Sequence, residues 1–274
     1  MKQLIRLMGV LFACGALSTA AFAGTEMYRG KDSKAVVAAP QPECDFNWTG
    51  FYIGGNAGYA WGNADADLDP LPDAATFFRL EPITLHPDPT GFIGGGQVGY
   101  NWQANKWLVL GGEADFQGTD IEGHDRLFNF RDTTGATNGP DSFIFAHERM
   151  QWFGTARGRI GFVPMCRLMI YATGGLAYGN VDYSGNTVFR NPGTASYPVS
   201  FSETNVGWTA GGGLEYAIGH HWSVRAEYLH YDLGDESRTG NQTVAGVPQG
   251  PPFFVHYNFD TSGNIVRGGL NFKF

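Results

Sequence analysis

Two pairs of residues have the types a hydrolase needs. Ser142 precedes His147, and Ser223 precedes His230. A serine becomes a nucleophile only when a base takes its proton at hydrogen-bond distance and an acid orients that base. Neither pair carries an evident oxyanion or nucleophile setting, so no catalytic residue is assigned. Gly94-x-Gly96-x-x-Gly99 spells a dinucleotide fingerprint. That fingerprint works through the N-terminus of a following helix, which receives the pyrophosphate. Tyr100-Asn101-Trp102 continues an extended alternation instead, and no cofactor is expected. The seven His scatter, with His86, His124 and His256 read into long connections and His220-His221 into a tight turn. Asp65, Asp67, Asp69, Asp73, Glu81 and Asp88 crowd one stretch. Carboxylates suit hard cations, but this spacing matches no cation-binding loop, and no metal site is expected.

A third constellation is more informative. Glu113 and Asp115, Arg157 and Arg159, Glu215, Arg225 and Glu227, and Arg267 alternate with apolar or small residues. They are four acids and four arginines. On extended strands, i and i+2 share a face. Arginine forks pair with carboxylates through two parallel hydrogen bonds. The chemistry expected of this set is a buried ion-pair network, provided the strands close around it.

Composition sets the elements available for that task. The chain has 274 residues with 40 Gly, 15% aromatics and only 16% charged residues. Aromatic richness excludes disorder, and the glycines show no collagen period. A mean hydropathy of -0.21 is too polar for a bundle of transmembrane helices. Lys2 and Arg6, the apolar run Leu7 to Leu17 and Ala21-Phe22-Ala23 read as a secretory signal peptide over 1–23. A transmembrane anchor or a lipoprotein signal ending at Cys14 are the lesser alternatives. Removing 1–23 takes two basic residues and no acid, which leaves a net charge of -10. Such a chain is a poor nucleic-acid binder. Residues 24–45 read as a periplasmic linker. Export leaves Cys44 and Cys166, both placed at the periplasmic end. The reading is one disulfide tying the linker across the barrel mouth, with two free thiols as the alternative.

From residue 46 to 274 one pattern repeats: period-2 alternation with glycines on it. Strands are expected over 48–62, 92–102, 107–120, 147–163, 168–184, 204–218, 222–235 and 259–274. All 14 prolines fall outside them. Gln103–Lys106, Pro164–Arg167 and Gly219–His221 are tight turns, whereas 63–90, 121–146, 185–203 and 236–258 are long connections. Short periplasmic turns and long external loops mark a transmembrane β-barrel. The rings sort by height. Phe51, Trp102, Phe162, Tyr216, Trp222 and Phe272 fall at the lower level. Tyr59, Trp61, Phe92, Phe116, Trp152, Tyr178, Trp208 and Tyr228 fall at the upper. Two aromatic girdles around an aliphatic band suit a lipid-facing wall; a sandwich core has no reason to sort rings by height. The expected fold is all-β: an eight-stranded antiparallel up-and-down transmembrane β-barrel. Such a barrel is just wide enough for side chains to fill. The eight charges therefore plug it, the competing reading being a narrow pore gated by the same charges. Val266, Leu270, Phe272 and Phe274 alternate to a terminal aromatic, the form of an outer-membrane assembly signal.

The opening strand Trp48-Thr49-Gly50-Phe51-Tyr52-Ile53-Gly54-Gly55-Asn56-Ala57-Gly58-Tyr59 resembles that of a known family, and three later segments fit it too. These are 91–101, Tyr171-Ala172-Thr173-Gly174-Gly175-Leu176-Ala177-Tyr178 and Val224-Arg225-Ala226-Glu227-Tyr228. The family is the small alphaproteobacterial outer-membrane β-barrel surface antigens of brucellae and rhizobia, distantly similar to OmpA-like and opacity-protein barrels. The resemblance implies an integral outer-membrane protein of a Gram-negative bacterium, exposed at the surface, with structural or host-contact roles and no catalytic residues. Cys44 and Cys166 depart from that pattern. The expected partners are outer-membrane lipid and lipopolysaccharide, the barrel-assembly machinery, and a host or surface ligand of the loops. A small porin and a loop-mediated adhesin are the alternative functions.

Overall fold

The structure is a computed structural model that describes residues 46–70, 81–130, 141–190, 195–249 and 254–274. The predicted signal peptide and linker, Cys44 included, lie outside the described residues. Eight long strands carry the fold: β1 (Gly50–Pro70), β3 (Thr90–Gln103), β4 (Leu108–Phe128), β5 (Phe143–Met165), β6 (Leu168–Phe189), β8 (Val199–Ala217), β9 (Trp222–Asn241) and β12 (Phe254–Lys273). Each pairs antiparallel with the next of the eight along the chain, and β12 pairs back onto β1. The ring therefore has no free edge. Four short strands, β2 (Ile83–Leu85), β7 (Ala195–Ser196), β10 (Thr243–Val244) and β11 (Val247–Pro248), lie toward the end that carries the long connections.

Polarity explains why the sheet closes. Phe51, Ile53, Tyr59 and Trp61 of β1 face outward and are exposed, while Tyr52, Asn56 and Ala60 between them are buried inside. The outward rings pair across strands: Phe51 with Tyr100, Tyr59 with Phe92, Phe116 with Trp152, and Trp222 with Phe272. Exposed Tyr100, Trp107 and Phe274 extend the lower girdle.

The strands are longer than their sequence reading. β4 continues to Phe128, β5 begins at Phe143, and β12 begins at Phe254, so much of each predicted long loop is wall. His124 and His256 stand on strands, not in loops. Pro164 lies at the end of β5, Pro70 closes β1 and Pro248 sits in β11; none interrupts a central stretch. A strand of 21 residues spans ~70 Å and, tilted by ~40°, rises ~50 Å, about twice the apolar band of a membrane barrel. The upper half of the wall thus stands in water. Its polarity is inverted accordingly. On β1, Asn63 and Asp65 face out while Ala64, Ala66 and Leu68 are buried. On β12, Val266 and Leu270 face lipid, whereas Asp260 and Asn258 above them face out and Phe259 and Tyr257 fill the interior.

Candidate functional site

The interior is filled in three layers. At the periplasmic mouth, the segment before β1 folds inward. Phe46 and Trp48 pack edge to face, with ring centroids 4.9 Å apart, over Val109, Val163, Met169, Tyr171 and Ala217. The Trp48 amide donates to Gln103 Oε1 at 2.9 Å. The Lys273 ammonium lies 4.8 Å from the Phe46 ring and donates to the carbonyl of Asn47.

The middle layer is charged. Glu113, Asp115, Arg157, Arg159, Glu215, Arg225, Glu227 and Arg267 are all buried and face the lumen. β4 supplies two acids and β5, its neighbour, two arginines, because Glu113 stands directly opposite Arg157 in the register. Arg157 bridges Glu113 at 2.6 Å, Asp115 at 3.0 Å and Glu227 across the barrel at 3.0 Å. Arg267 meets Glu227 at 2.6 Å and Asp115 at 2.7 Å. Arg159 meets Glu215 at 2.7 Å, and Arg225 pairs with Glu113. The set joins opposite walls, which a neighbour-only pairing would not. Burying charge is tolerable only when the partners and remaining lone pairs are met, and further groups meet them. Tyr52 donates to Glu113 at 2.7 Å, Tyr171 to Glu227 at 3.1 Å, Thr155 to Asp115 at 2.9 Å and Ser223 to Glu215 at 2.6 Å. Gln97 Nε2 donates to Asn271 at 2.6 Å, and Asn271 to Glu215 at 2.9 Å.

Glycines make the room. A Cβ on Gly99 would lie 2.3 Å from the Tyr52 hydroxyl, and one on Gly58 2.6 Å from the Arg267 Cβ. Gly94 and Gly96 face lipid with nothing closer than 3.5 Å. The fingerprint spacing thus reflects two faces of one strand, and the chain runs on as β3 without a helix.

The upper layer is apolar. Ile93, Ile121, Met150, Phe153, Tyr183, Tyr231, Phe259 and Ile265 belong to one buried cluster. Within it runs a polar chain: Asn205 donates to the Tyr183 hydroxyl at 2.8 Å, Tyr183 and Thr261 share a 2.7 Å bond, and Thr261 donates to Glu148 Oε1 at 2.9 Å. Among the described residues, none hydrogen-bonds Glu148 Oε2. Burial, with a contribution from Asp260, pushes this carboxyl up to about 7 despite the Thr261 bond. Sequence reasoning missed Glu148, Tyr52 and Tyr171. Their inward strand parity was the available signal.

Neither serine–histidine pair forms a site. Ser142 is buried whereas His147, five positions along the same strand region, faces out. Ser223 faces the lumen, bound to Glu215, while His230 packs on the outward Trp208 with centroids 5.4 Å apart. Cys166 is disulfide-bonded; its proposed partner Cys44 lies outside the described residues. Val266, Leu270, Phe272 and Phe274 share the outward face of the last strand, and Phe272 and Phe274 meet edge to face at 5.4 Å.

On the outer wall above the girdle, Asp65, Asp260 and Asp235 are direct partners across β1, β12 and β9. Burial and the neighbouring Asp235, Asp232, Asp65 and Asp67 push Asp260 up to about 6. The exposed His86 donates a 2.7 Å bond from Nδ1 to Asp65, which raises its basicity.

Comparison with known proteins gives the same picture. The chain is 38% identical over 248 residues to the 31 kDa outer-membrane immunogenic protein of Brucella melitensis, covering 89% of this chain and 90% of that one. It is 30% identical to the 22 kDa outer membrane protein of Rhizobium leguminosarum, over 68% of this chain and 64% of the relative. Among solved structures, the outer membrane protease OmpT of Escherichia coli is matched with a TM-score of 0.48 and 10% identity, covering 82% of this chain and 97% of that one. The outer membrane protein beta-barrel domain model matches residues 33–250. The chain is an outer-membrane protein and belongs to the outer-membrane β-barrel family that includes the outer-membrane immunogenic proteins of brucellae and the 22 kDa outer membrane protein of Rhizobium leguminosarum.

Proposed function

We propose that this protein is a structural component and surface antigen of the outer membrane, with no chemistry of its own. The observation that carries this reading is the lumen filled in three layers. An apolar periplasmic cap, a charge-balanced ion-pair layer and an aromatic upper core leave side chains where a pore would need water. The same observation weighs against the small-porin alternative. The barrel anchors in lipid through its two girdles and lifts its connections clear of the membrane on walls about twice the height lipid requires. The immunogenic relatives support display at the surface. The outward aromatics of the last strand support recognition by the barrel-assembly machinery, and the girdles support contact with lipid and lipopolysaccharide. Cys44 is the proposed partner of Cys166, closing the linker over the mouth.

An epitope inserted between Ala245 and Gly246 tests display. Both have positive φ, at the tip between β10 and β11. Antibody should label intact cells; labelling only after lysis would overturn the reading. Deleting the gene should raise sensitivity to detergents. A strain with unchanged sensitivity would dismiss the envelope role.

A further inference from the structure

The ladder that closes the ring is complete at membrane height. Above the upper girdle one seam parts. β8 and β9 pair from Ala217↔Ser223 up to Trp208↔Asp232 and no further, yet β8 runs on to Val199 and β9 to Asn241. Among the described residues no third strand runs between them. A slot remains beside Val199–Gly207, ~20 Å high for strands tilted by ~40°. It is closed above, where β7 pairs with β10. The sequence itself parts the strands. Asp235 meets Asp260 and Asp232 meets Ser262, so Leu233 and Gly234 together stand against Thr261. Such a bulge bends its strand and sharpens the local twist. Gly234 takes φ +76°, a value open to glycine, and its amide donates to Asp232 Oδ1 at 2.9 Å.

Strand parity decides which backbone groups face the slot. The Ala217 amide donates to Arg167, on the β6 side, and the Ile218 amide donates to Trp222, on the β9 side. The β6–β8 register runs without a shift, and the Glu203 carbonyl still accepts Asn180 of β6 at 3.2 Å. Successive residues of an antiparallel strand bond to opposite neighbours. The amides and carbonyls of Ser200, Ser202, Thr204 and Val206 therefore point into the slot, where the β9 ladder has already ended. A side-chain tie crosses it instead. The bulge brings Arg238 level with Glu203, the two form an ion pair, and the Arg238 guanidinium carbon lies 4.7 Å from the centre of the Phe201 ring. Both charged side chains are well exposed, at 41% and 39%, and exposed pairs of this kind are weak. Around the slot, 199–207 and 232–241 carry Glu203, Asp232, Asp235 and Glu236 against Arg238.

We propose that this slot is a strand-addition site: an extended, basic segment of another protein at the cell surface pairs with β8 over Ser200–Val206. A free edge is a template for a further strand, and main-chain bonds supply the affinity in this mode of recognition. No Pro and no Lys blunts the edge from Val199 to Gly207. The acid surplus selects a basic partner. It also disfavours a second copy of this chain, which would bring the same acids to the same edge. The tie between Arg238 and Glu203 yields to admit the segment, whose ends turn out to water because the β7–β10 pairing caps the slot. The proposal rests on the surface-exposed orientation given above and names a partner class for it.

The test uses the folded mature protein in maltoside micelles. The probe is a fluorescent, end-capped peptide of nine residues that alternates Lys and Thr, and binding is read by anisotropy. The wild type should bind it about tenfold more tightly than the matching Glu–Thr peptide. Two further peptides carry backbone N-methyl groups, one on every Lys and one on every Thr. At least one of them should bind about tenfold more weakly than the parent, because an edge stripped of its donors cannot pair. Ser202→Pro removes an amide that faces the slot and should weaken binding roughly threefold or more. Arg238→Gln removes the tie and a repelling cation and should strengthen binding roughly threefold. If Ser202→Pro does not fold, the methylated peptides on the wild type carry the test. The inference is overturned if the acidic peptide binds as well as the basic one, if both methylated peptides bind like the parent, which charge attraction alone would give, or if Arg238→Gln weakens binding. The micelle assay is blind to orientation, and epitope labelling on intact cells is read separately. A failed slot and a failed orientation are therefore distinguishable.

Discussion

Replacing Glu148 by Gln should reshape how stability depends on pH. The wild-type carboxyl sits in an apolar layer with one oxygen bound by Thr261 and the other unpartnered. Burial moves its pKa from 4.5 to about 7. Below pH ~4.5 the group is protonated folded and unfolded, and burial of the neutral acid brings no titration penalty. Between ~4.5 and ~7 the unfolded chain ionises while the folded one resists, so stability falls as pH rises. Above ~7 the loss is complete. At ~1.4 kcal/mol per pH unit, the full penalty is about 3 kcal/mol, of which about 2.5 accrues between pH 5 and pH 8. The amide keeps the Thr261 bond and does not titrate. Its NH2 stands where Oε2 stood, at a pH-independent cost of ~1–3 kcal/mol for an unmet donor. Wild type should therefore be the more stable at pH 5 and the variant should close the gap or overtake it at pH 8. Urea unfolding of the folded barrel in micelles at both values measures this, with the boiled/unboiled gel shift confirming the folded state. Asp260, at about 6, titrates in both proteins and cancels in the comparison. Parallel stability profiles for the two proteins would refute the reasoning.

Other perturbations probe the remaining layers. Arg267→Ala strips one cation from Asp115 and Glu227 and should cost about 3–5 kcal/mol by leaving buried charge uncompensated, measured by the same urea unfolding. Trp48→Ala empties the periplasmic cap and should cost about 3–5 kcal/mol, while the folded-barrel gel shift persists. His86 should titrate above the ordinary histidine range in an NMR titration, and Asp65→Asn should bring it down, because the bond to Asp65 is the largest cause of the shift. Gly99→Ala should reduce the folded fraction on gels, since its Cβ meets the Tyr52 hydroxyl and the Gly112 carbonyl. A normal folded yield would contradict that packing.

The membrane half of the barrel was legible in the sequence, because lipid outside and charge inside force a strict period of two. Glu113 with Asp115 and Arg157 with Arg159 could be placed on one face by parity alone. Which acid meets which arginine could not, since Arg157 reaches Glu227 across the lumen and only the closed ring sets that distance. The upper half misled for a physical reason. Strand parity is unbroken from Val266 to Asp260, but the solvent changes from lipid to water, so the apolar face moves from outside to inside. Asp65 then reads as a loop residue although it is wall, directly opposite Asp260 of the last strand. Glu148 falls within the strand expected over 147–163, at an inward position, but as a lone acid with no arginine two residues away on its face it does not read with the ion-pair set. The periplasmic cap was legible only as apolar residues at the start of the first strand; that Phe46 and Trp48 turn into the mouth depends on contacts with β4, β5 and β6.

On the structural reading proposed above, the three interior layers close the lumen. Planar-bilayer recording of the purified, folded protein tests it most directly. Membranes should stay at baseline conductance at protein levels where a porin control inserts readily. Steady, reproducible single-channel steps that disappear when the protein is heat-unfolded would contradict it.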